Sequence, residues 1–256
     1  MNRIRAFALR NWKETLRDPL SYIFCLGFPL VMLGIMTVVN QSIPANAGLT
    51  IFRIDRLSAG VAVFGHSFIM LFAALSVAND RAGAFLVRMY TTPMKPSEFI
   101  CGYILPLWLM AMAQAAPIWA ASLAIGAATG VSLPIGGLLL AWATLIPSAL
   151  LFIGIGVLFG TLFSEKAAPG MCSILISLGS FLGAIWFDAE STGGVLLTVS
   201  KALPFFHCTK SARSAVALAL SFEDYGRPLL MVIGWMALIL ALAVLAFRRR
   251  MRADLA

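Results

Sequence analysis

FICGYILPLWLMAMAQAAPIWAASLAIGAATGVSLPIGGLLLAWATLIPSALLFIGIGVLFGTLFS, residues 99–164, contains no Asp, Glu, Lys or Arg. A helix crosses the hydrocarbon of a bilayer with about 20 apolar residues, and an ionisable side chain near its middle costs about 2.5–3.5 kcal/mol on insertion scales. This stretch is too long for one crossing, and its Gly- and Pro-containing turn at 126–134 divides it. It reads as two spans, 99–125 and 135–163. Charge-free intervals elsewhere add 20–39, 57–78, 169–187 and 228–247. The expectation is an all-α polytopic membrane protein with six transmembrane helices in a single domain, 1–256, without linker or internal repeat.

Composition agrees. Of 256 residues, 61% are hydrophobic and 12% charged, and the mean hydropathy is +0.92. Water-soluble domains carry about 25% charged residues. The net charge of +8 raises the question of nucleic acid, but the basic residues sit beside apolar runs, where membrane topology places them; no nucleic-acid partner is expected. With six spans and both termini cytoplasmic, the inner side holds 13 of the 19 Lys and Arg residues: Arg3, Arg5, Arg10, Lys13, Arg17, Arg81, Arg88, Lys95, Lys166, Arg248, Arg249, Arg250 and Arg252. A secretory leader is the competing reading of the N-terminus, with Ala45-Asn46-Ala47 as a cleavage look-alike. The apolar run is longer than a leader's 7–15 residues and lies behind an 18-residue basic segment, so it reads as a retained span.

The segments between spans have patterns of their own. Ile4, Ala8, Trp12 and Leu16 recur every four residues opposite Arg3, Arg10, Lys13, Glu14 and Arg17, which describes an N-terminal interfacial amphipathic helix. Asp18-Pro19 supplies an N-cap and a proline at the first helical position of the first span. In the inner loop 79–98, Asp80, Arg81, Arg88 and Lys95 surround Phe85, Leu86, Met89 and Tyr90. A short helix showing apolar groups to the cytoplasm suits docking of a partner, or rests on the bilayer surface. Thr92-Pro93 stops it and Ser97 is positioned to cap the third span. On the outer side, 195–206 is apolar apart from Lys201 and too short to span, so it reads as a short re-entrant or interfacial segment.

These parts, in this order, resemble the type-2 ABC transporter permeases, the membrane subunits of ATP-binding-cassette exporters. The resemblance rests on Leu16-Arg17-Asp18-Pro19 before the first span, Arg81-Ala82-Gly83-Ala84-Phe85-Leu86 in the first inner loop, and Thr92-Pro93 with Glu98 and Gly102-Tyr103-Ile104-Leu105. Gly160-Thr161-Leu162-Phe163 and Leu203-Pro204-Phe205-Phe206-His207 follow. It implies a permease that pairs with a second permease subunit, as homo- or heterodimer, and with ABC ATPase subunits. ATP and Mg would be bound by those ATPases, and this chain would carry no cofactor. It also implies that the first inner loop is a cytoplasmic coupling helix seated in a groove of the ATPase, here Asp80, Arg81, Phe85, Leu86, Arg88, Met89 and Tyr90. A bacterial inner membrane is the implied location.

Chemistry within the spans is sparse. The chain has no GxxxxGK[ST] phosphate loop, so ATP hydrolysis belongs to another polypeptide. It also lacks an HExxH motif, a Ser-His-Asp set and paired intramembrane carboxylates, so an enzyme is not expected. Cys25, Cys101, Cys172 and Cys208 make no CxxC pair, and with His66 and His207 alone beside them no metal site is expected. His66 is the ionisable side chain inside a span and, with Ser67 and Gln114, the candidate for a substrate pathway or for hydrogen bonding between helices. Gly156/Gly160 and Gly179/Gly183 are spaced for close helix contact, within one subunit or across a dimer. The other function classes left open are a channel or gradient-driven secondary transporter, and a non-transporting membrane assembly partner.

Overall fold

A computed structural model of the chain describes residues 2–44, 50–83 and 85–255. Among them all regular structure is helical. In chain order α1 is Asn2–Arg17, α2 Pro19–Tyr22, α3 Phe28–Ser42, α4 Ile54–Ala82, α5 Phe85–Met89, α6 Pro96–Thr129 and α7 Ile135–Leu162. They are followed by α8 at Ala168–Leu182, α9 at Ala189–Thr192, α10 at Gly194–Ala202, α11 at Pro204–Val216 and α12 at Arg227–Leu255. A π-helical turn, Ile23–Gly27, joins α2 to α3, and a second, Phe222–Gly226, leads into α12. The leader look-alike Ala45-Asn46-Ala47, and Ala84 in the inner loop, lie outside the described residues.

Among the described residues, five helical stretches are long and apolar enough to cross a membrane: Pro19–Ser42, α4, α6, α7 and Phe222–Ala253. The sequence leads to six. The difference lies at 169–187, where α8 stops at Leu182 after 15 residues, about 22 Å against about 30 Å of hydrocarbon. Beyond it Ala184 takes a left-handed φ of 53° and the chain continues as irregular backbone, with Trp186 packed on Phe64 at 5.1 Å. Such backbone is tolerated at depth only where protein satisfies it. Here Ile185 N donates to Ser180 O and Ile185 O accepts from Arg213 Nη2 at 3.3 Å.

α4 forms the centre, packed by α3, α6, α7, α8 and α11. Its closest neighbour is α7, because a side chain at Gly156 or Gly160 would run into the Met70 or Ala74 carbonyl. That glycine pair therefore joins helices of one chain, as does Gly179/Gly183, which lies on Phe205 of α11. The turn between α6 and α7 is closed by Gly130 at φ 72°, with Val131 N bonded to Gly126 O at 2.9 Å. Pro106, Pro117 and Pro147 all lie inside helices.

Contacts sort the loops into two ends. Arg3 Nη1 donates to Pro93 O at 2.8 Å, and Arg81 Nη1 donates to Gly160 O and Phe163 O. Tyr90 meets Phe247 at 6.0 Å between ring centroids. So α1, the loop after α4, the α7–α8 loop and the arginine-rich tail of α12 share one end. At the other end Lys210 Nζ reaches Glu190 at 2.7 Å and Asp224 at 3.6 Å, and Arg213 Nε donates to Arg56 O.

Local details differ from expectation in three places. The buried side of α1 is Phe7, Ala8 and Asn11, while Leu16 is exposed. The helix packs against α6 on a face rotated from the Ile4, Ala8, Trp12, Leu16 stripe: Leu9 and Leu16 are exposed and Trp12 is half-buried, and Ala8, Leu9 and Trp12 line a cleft with Leu105, Pro106 and Leu109 of α6. The inner-loop helix is confined to Phe85–Met89, since Asp80 and Arg81 are the last turn of α4. The N-cap of α6 is Lys95, not Ser97: Pro96 occupies the first turn, and Glu98 Oε2 accepts from Lys95 N at 2.7 Å. Asp18 caps α2 as expected, accepting from Leu20 N at 3.1 Å and Ser21 Oγ at 2.8 Å.

Candidate functional site

The basic end is organised around Asp80. Its carboxylate is 9% exposed and accepts from Arg10 Nη1 at 2.5 Å, Arg10 Nη2 at 2.7 Å and Tyr103 Oη at 2.6 Å. A bidentate guanidinium–carboxylate pair with a third donor satisfies most of the lone pairs of a buried anion. Burial alone would lower Arg10's affinity for its proton, but the hydrogen bond and charge of Asp80, helped by Glu14, outweigh it and leave Arg10 above its ordinary value. The same guanidinium lies 4.2 Å from the centre of the Phe85 ring, a cation–π contact. α1 comes this close because residue 102 is glycine: a Cβ there would occupy the place of the Phe7 ring. Asn11 Nδ2 then donates to Gly102 O at 3.0 Å.

α5 hangs from this anchor. Leu86 is 1% exposed and Tyr90 is buried, with Tyr90 edge-on to Phe99 at 5.8 Å and to Phe247. Phe7 stacks on Phe85 at 6.4 Å and meets Tyr103 edge-on at 5.0 Å. Thr91 Oγ1 and Thr92 Oγ1 donate to the Arg88 and Met89 carbonyls at 2.8 and 2.6 Å, ending the helix. Outward it presents Val87 and Arg88, with Phe85 and Met89 half-buried. The residues singled out in this loop thus divide by position. Asp80, Leu86 and Tyr90 are buried, Arg81 caps the C-terminal carbonyls of α7, and Arg88 stands in the open.

The interior candidates do not form one cluster. His66, 0% exposed, lies midway along α4 and shares a hydrogen bond between Nδ1 and Ser148 Oγ of α7 at 3.1 Å. Phe152 tilts against its ring at 6.1 Å and in turn meets Phe205 of α11 at 5.7 Å. Gln114 of α6 approaches α4 from another side, its amide over Gly65, where a Cβ would collide with it. Ser67 is buried. Among the described residues, His66 Nε2 and both amide atoms of Gln114 have no hydrogen-bond partner within the protein, an uncommon state for buried polar groups.

The Phe205 contact shows how far the segment after α8 reaches along the helices. α11 begins beside Phe152, midway along α7, and ends at Val216, whose carbonyl abuts Gly137 at the start of α7. α10 and α11 therefore make a helical hairpin packed against α8 and α12, with Leu203-Pro204 at its tip. Above it, a cavity of about 300 Å³ is lined by Asp55, Asp188, Glu190, Lys210, Arg213 and Asp224 among others. Burial, and next the neighbouring charge of Arg56, lowers Arg213 to about 10, so it remains charged at neutral pH. Burial would lower Lys210 too, but the hydrogen bond and charge of Glu190, with Asp224, raise it. His207 Nε2 donates to Lys201 O at 2.8 Å, and burial keeps its ring below the ordinary histidine value.

Sequence reasoning missed Arg10 as the partner of Asp80, Tyr103 as its third ligand, and Ser148 and Arg213. Arg10 and Asp80 are 70 residues apart, and no local pattern connects them. Asn11, one helical turn after Phe7 and Ala8, gave no distinct signal in a segment rich in polar residues.

No curated protein sequence matches the chain. The family description "ABC-2 family transporter protein" matches residues 51–248, which takes in the chain from just before α4 to the arginine-rich tail. That match covers the loop after α4, the α10–α11 hairpin and the helices around them, and the chain belongs to the type-2 ABC transporter permease family.

Proposed function

We propose that this chain is the membrane-embedded subunit of an ATP-driven exporter, working as one of two permeases with separate ABC ATPase subunits that bind ATP and Mg. The basic end faces the cytoplasm, in a bacterial inner membrane, and carries both termini. α8 with its irregular extension makes the fifth of six passes, and α10–α11 are re-entrant from the outer side. The observation that carries this is α5: a one-turn helix that exposes Val87 and Arg88 yet is fastened to four elements at once. A force applied there reaches α1 through Phe7 and Arg10, α4 through Asp80, α6 through Phe99 and Tyr103, and α12 through Phe247. Closure of the ATPases on nucleotide would tilt these helices together, and such closures are few-state changes of packed elements.

In this mechanism Val87 and Arg88 contact the ATPase, with Phe85 and Met89 at the edge, while Asp80, Arg81, Leu86 and Tyr90 transmit force. His66, Ser67 and Gln114 are the pathway candidates: the unpartnered atoms of His66 and Gln114 gain water or substrate when the helices part. The test is affinity purification of tagged protein from its own membranes in mild detergent, with ATP hydrolysis assayed on the product. Recovery of a Walker-A-bearing subunit, lost in Val87→Asp Arg88→Asp but kept in wild type, supports the proposal. An intact permease that brings down no ATPase removes it and favours a channel or gradient-driven carrier.

A further inference from the structure

Between α7 and α12, at the basic end, runs a groove of about 590 Å³ that shares no residue with the coupling or pathway candidates. From α7 it takes Leu158, Thr161 and Leu162, and from α12 Leu242, Leu245 and Ala246, ending in Arg249, Arg250 and Ala253. The α12 positions recur at three- and four-residue steps, so they share one helix face, and the distance from Leu242 to Ala253 is about 16 Å at helical rise. The groove is apolar toward the middle of the membrane and cationic where the helix leaves it. Arg249 is exposed and, among the described residues, has no ion pair or hydrogen bond. Arg250 also lines a neighbouring cavity with Arg81 and Glu165.

Membrane topology and the helix dipole both favour arginines near this terminus. Neither explains an apolar trough that ends in two of them. We infer that this groove is a binding site for an anionic phospholipid of the leaflet at the basic end, its acyl chain along Leu158, Leu242 and Leu245 and its phosphate on Arg249 and Arg250. Basic pockets between helices at the cytoplasmic surface take such headgroups, and guanidinium matches phosphate with paired donors. A second copy of the chain is a poorer occupant: a two-fold contact through this face would set each arginine cluster near its own symmetry mate. The inference depends on membrane embedding and not on ATPase coupling.

The test is native mass spectrometry of the purified full chain, with phosphatidylglycerol and phosphatidylcholine of identical acyl chains added in competition. Wild type retains phosphatidylglycerol with at least about tenfold preference, the scale of one charge-assisted contact. Arg249→Gln loses that preference, and Leu242→Trp, which fills the trough at a 42% exposed position, loses binding with the arginines intact. Arg252→Gln removes the same charge from the same run outside the groove and keeps the preference. Equal retention of the two lipids, or equal loss in Arg249→Gln and Arg252→Gln, overturns the site in favour of general surface charge. Disulfide capture between two chains carrying Leu242→Cys overturns it in favour of a second copy.

Discussion

The two ends of the molecule hold their peripheral elements in different ways. At the basic end, α5 and α1 are fastened by a buried carboxylate with three charged or hydroxyl donors and by a run of packed aromatic rings. At the opposite end, α9 and the π-helical turn before α12 are held to α11 by Lys210, whose partners Glu190 and Asp224 are both more than half exposed. A buried pair is costly to break because it strands a charge, whereas an exposed pair exchanges its partner for water at little cost. The first end therefore holds its peripheral elements more firmly than the second.

Substitutions can break or sharpen that contrast. The largest effect is expected from Asp80→Asn, which leaves Arg10 only the exposed Glu14 as counter-ion and should cost about 2 kcal/mol, read as a lowered unfolding temperature in detergent. Adding Arg10→Gln should recover part of the loss, and additive damage would show that the pair is not the anchor. Tyr103→Phe removes one hydrogen bond and should cost about 1 kcal/mol. Lys210→Gln, at the other end, should cost under about 1 kcal/mol, with the difference from wild type shrinking in high salt. A loss as large as that of Asp80→Asn would end the comparison.

The smallest effect concerns pH. His207 is held neutral by burial, against the Lys201 hydrogen bond and among the charges of Arg227, Lys210 and Lys201. Because its folded value lies below 6.5, the unfolded chain takes up the proton first. Stability contributed at this position is therefore constant above pH 6.5 and declines as pH falls below it. In His207→Gln the decline from this group should disappear, and an unchanged slope from pH 7 to 5 would assign the acid sensitivity elsewhere.

The α10–α11 hairpin shows how far local sequence reaches. Its apolar character and insufficient length are visible in 195–206, yet its depth is set by Phe205 meeting Phe152 and by Val216 meeting Gly137, contacts across more than 50 residues. The loop after α4 behaves in the same way. Its apolar and basic residues are evident from the chain, but which of them face outward is decided by Phe7, Tyr103 and Phe247, which belong to three other helices.

What the sequence determined by itself is the membrane placement and four of the spans nearly whole, since desolvation of charge acts residue by residue and needs no partner. It also determined the Asp18-Pro19 start of the first span and the glycine turn at 130, where backbone geometry is local. The tertiary structure alone decided that α8 stops at Leu182, that Asp80 anchors α1, and that two glycine pairs close contacts inside one chain. Each depends on atoms brought together from distant positions: the Ile185 carbonyl can leave its helix only because Arg213 is there to receive it.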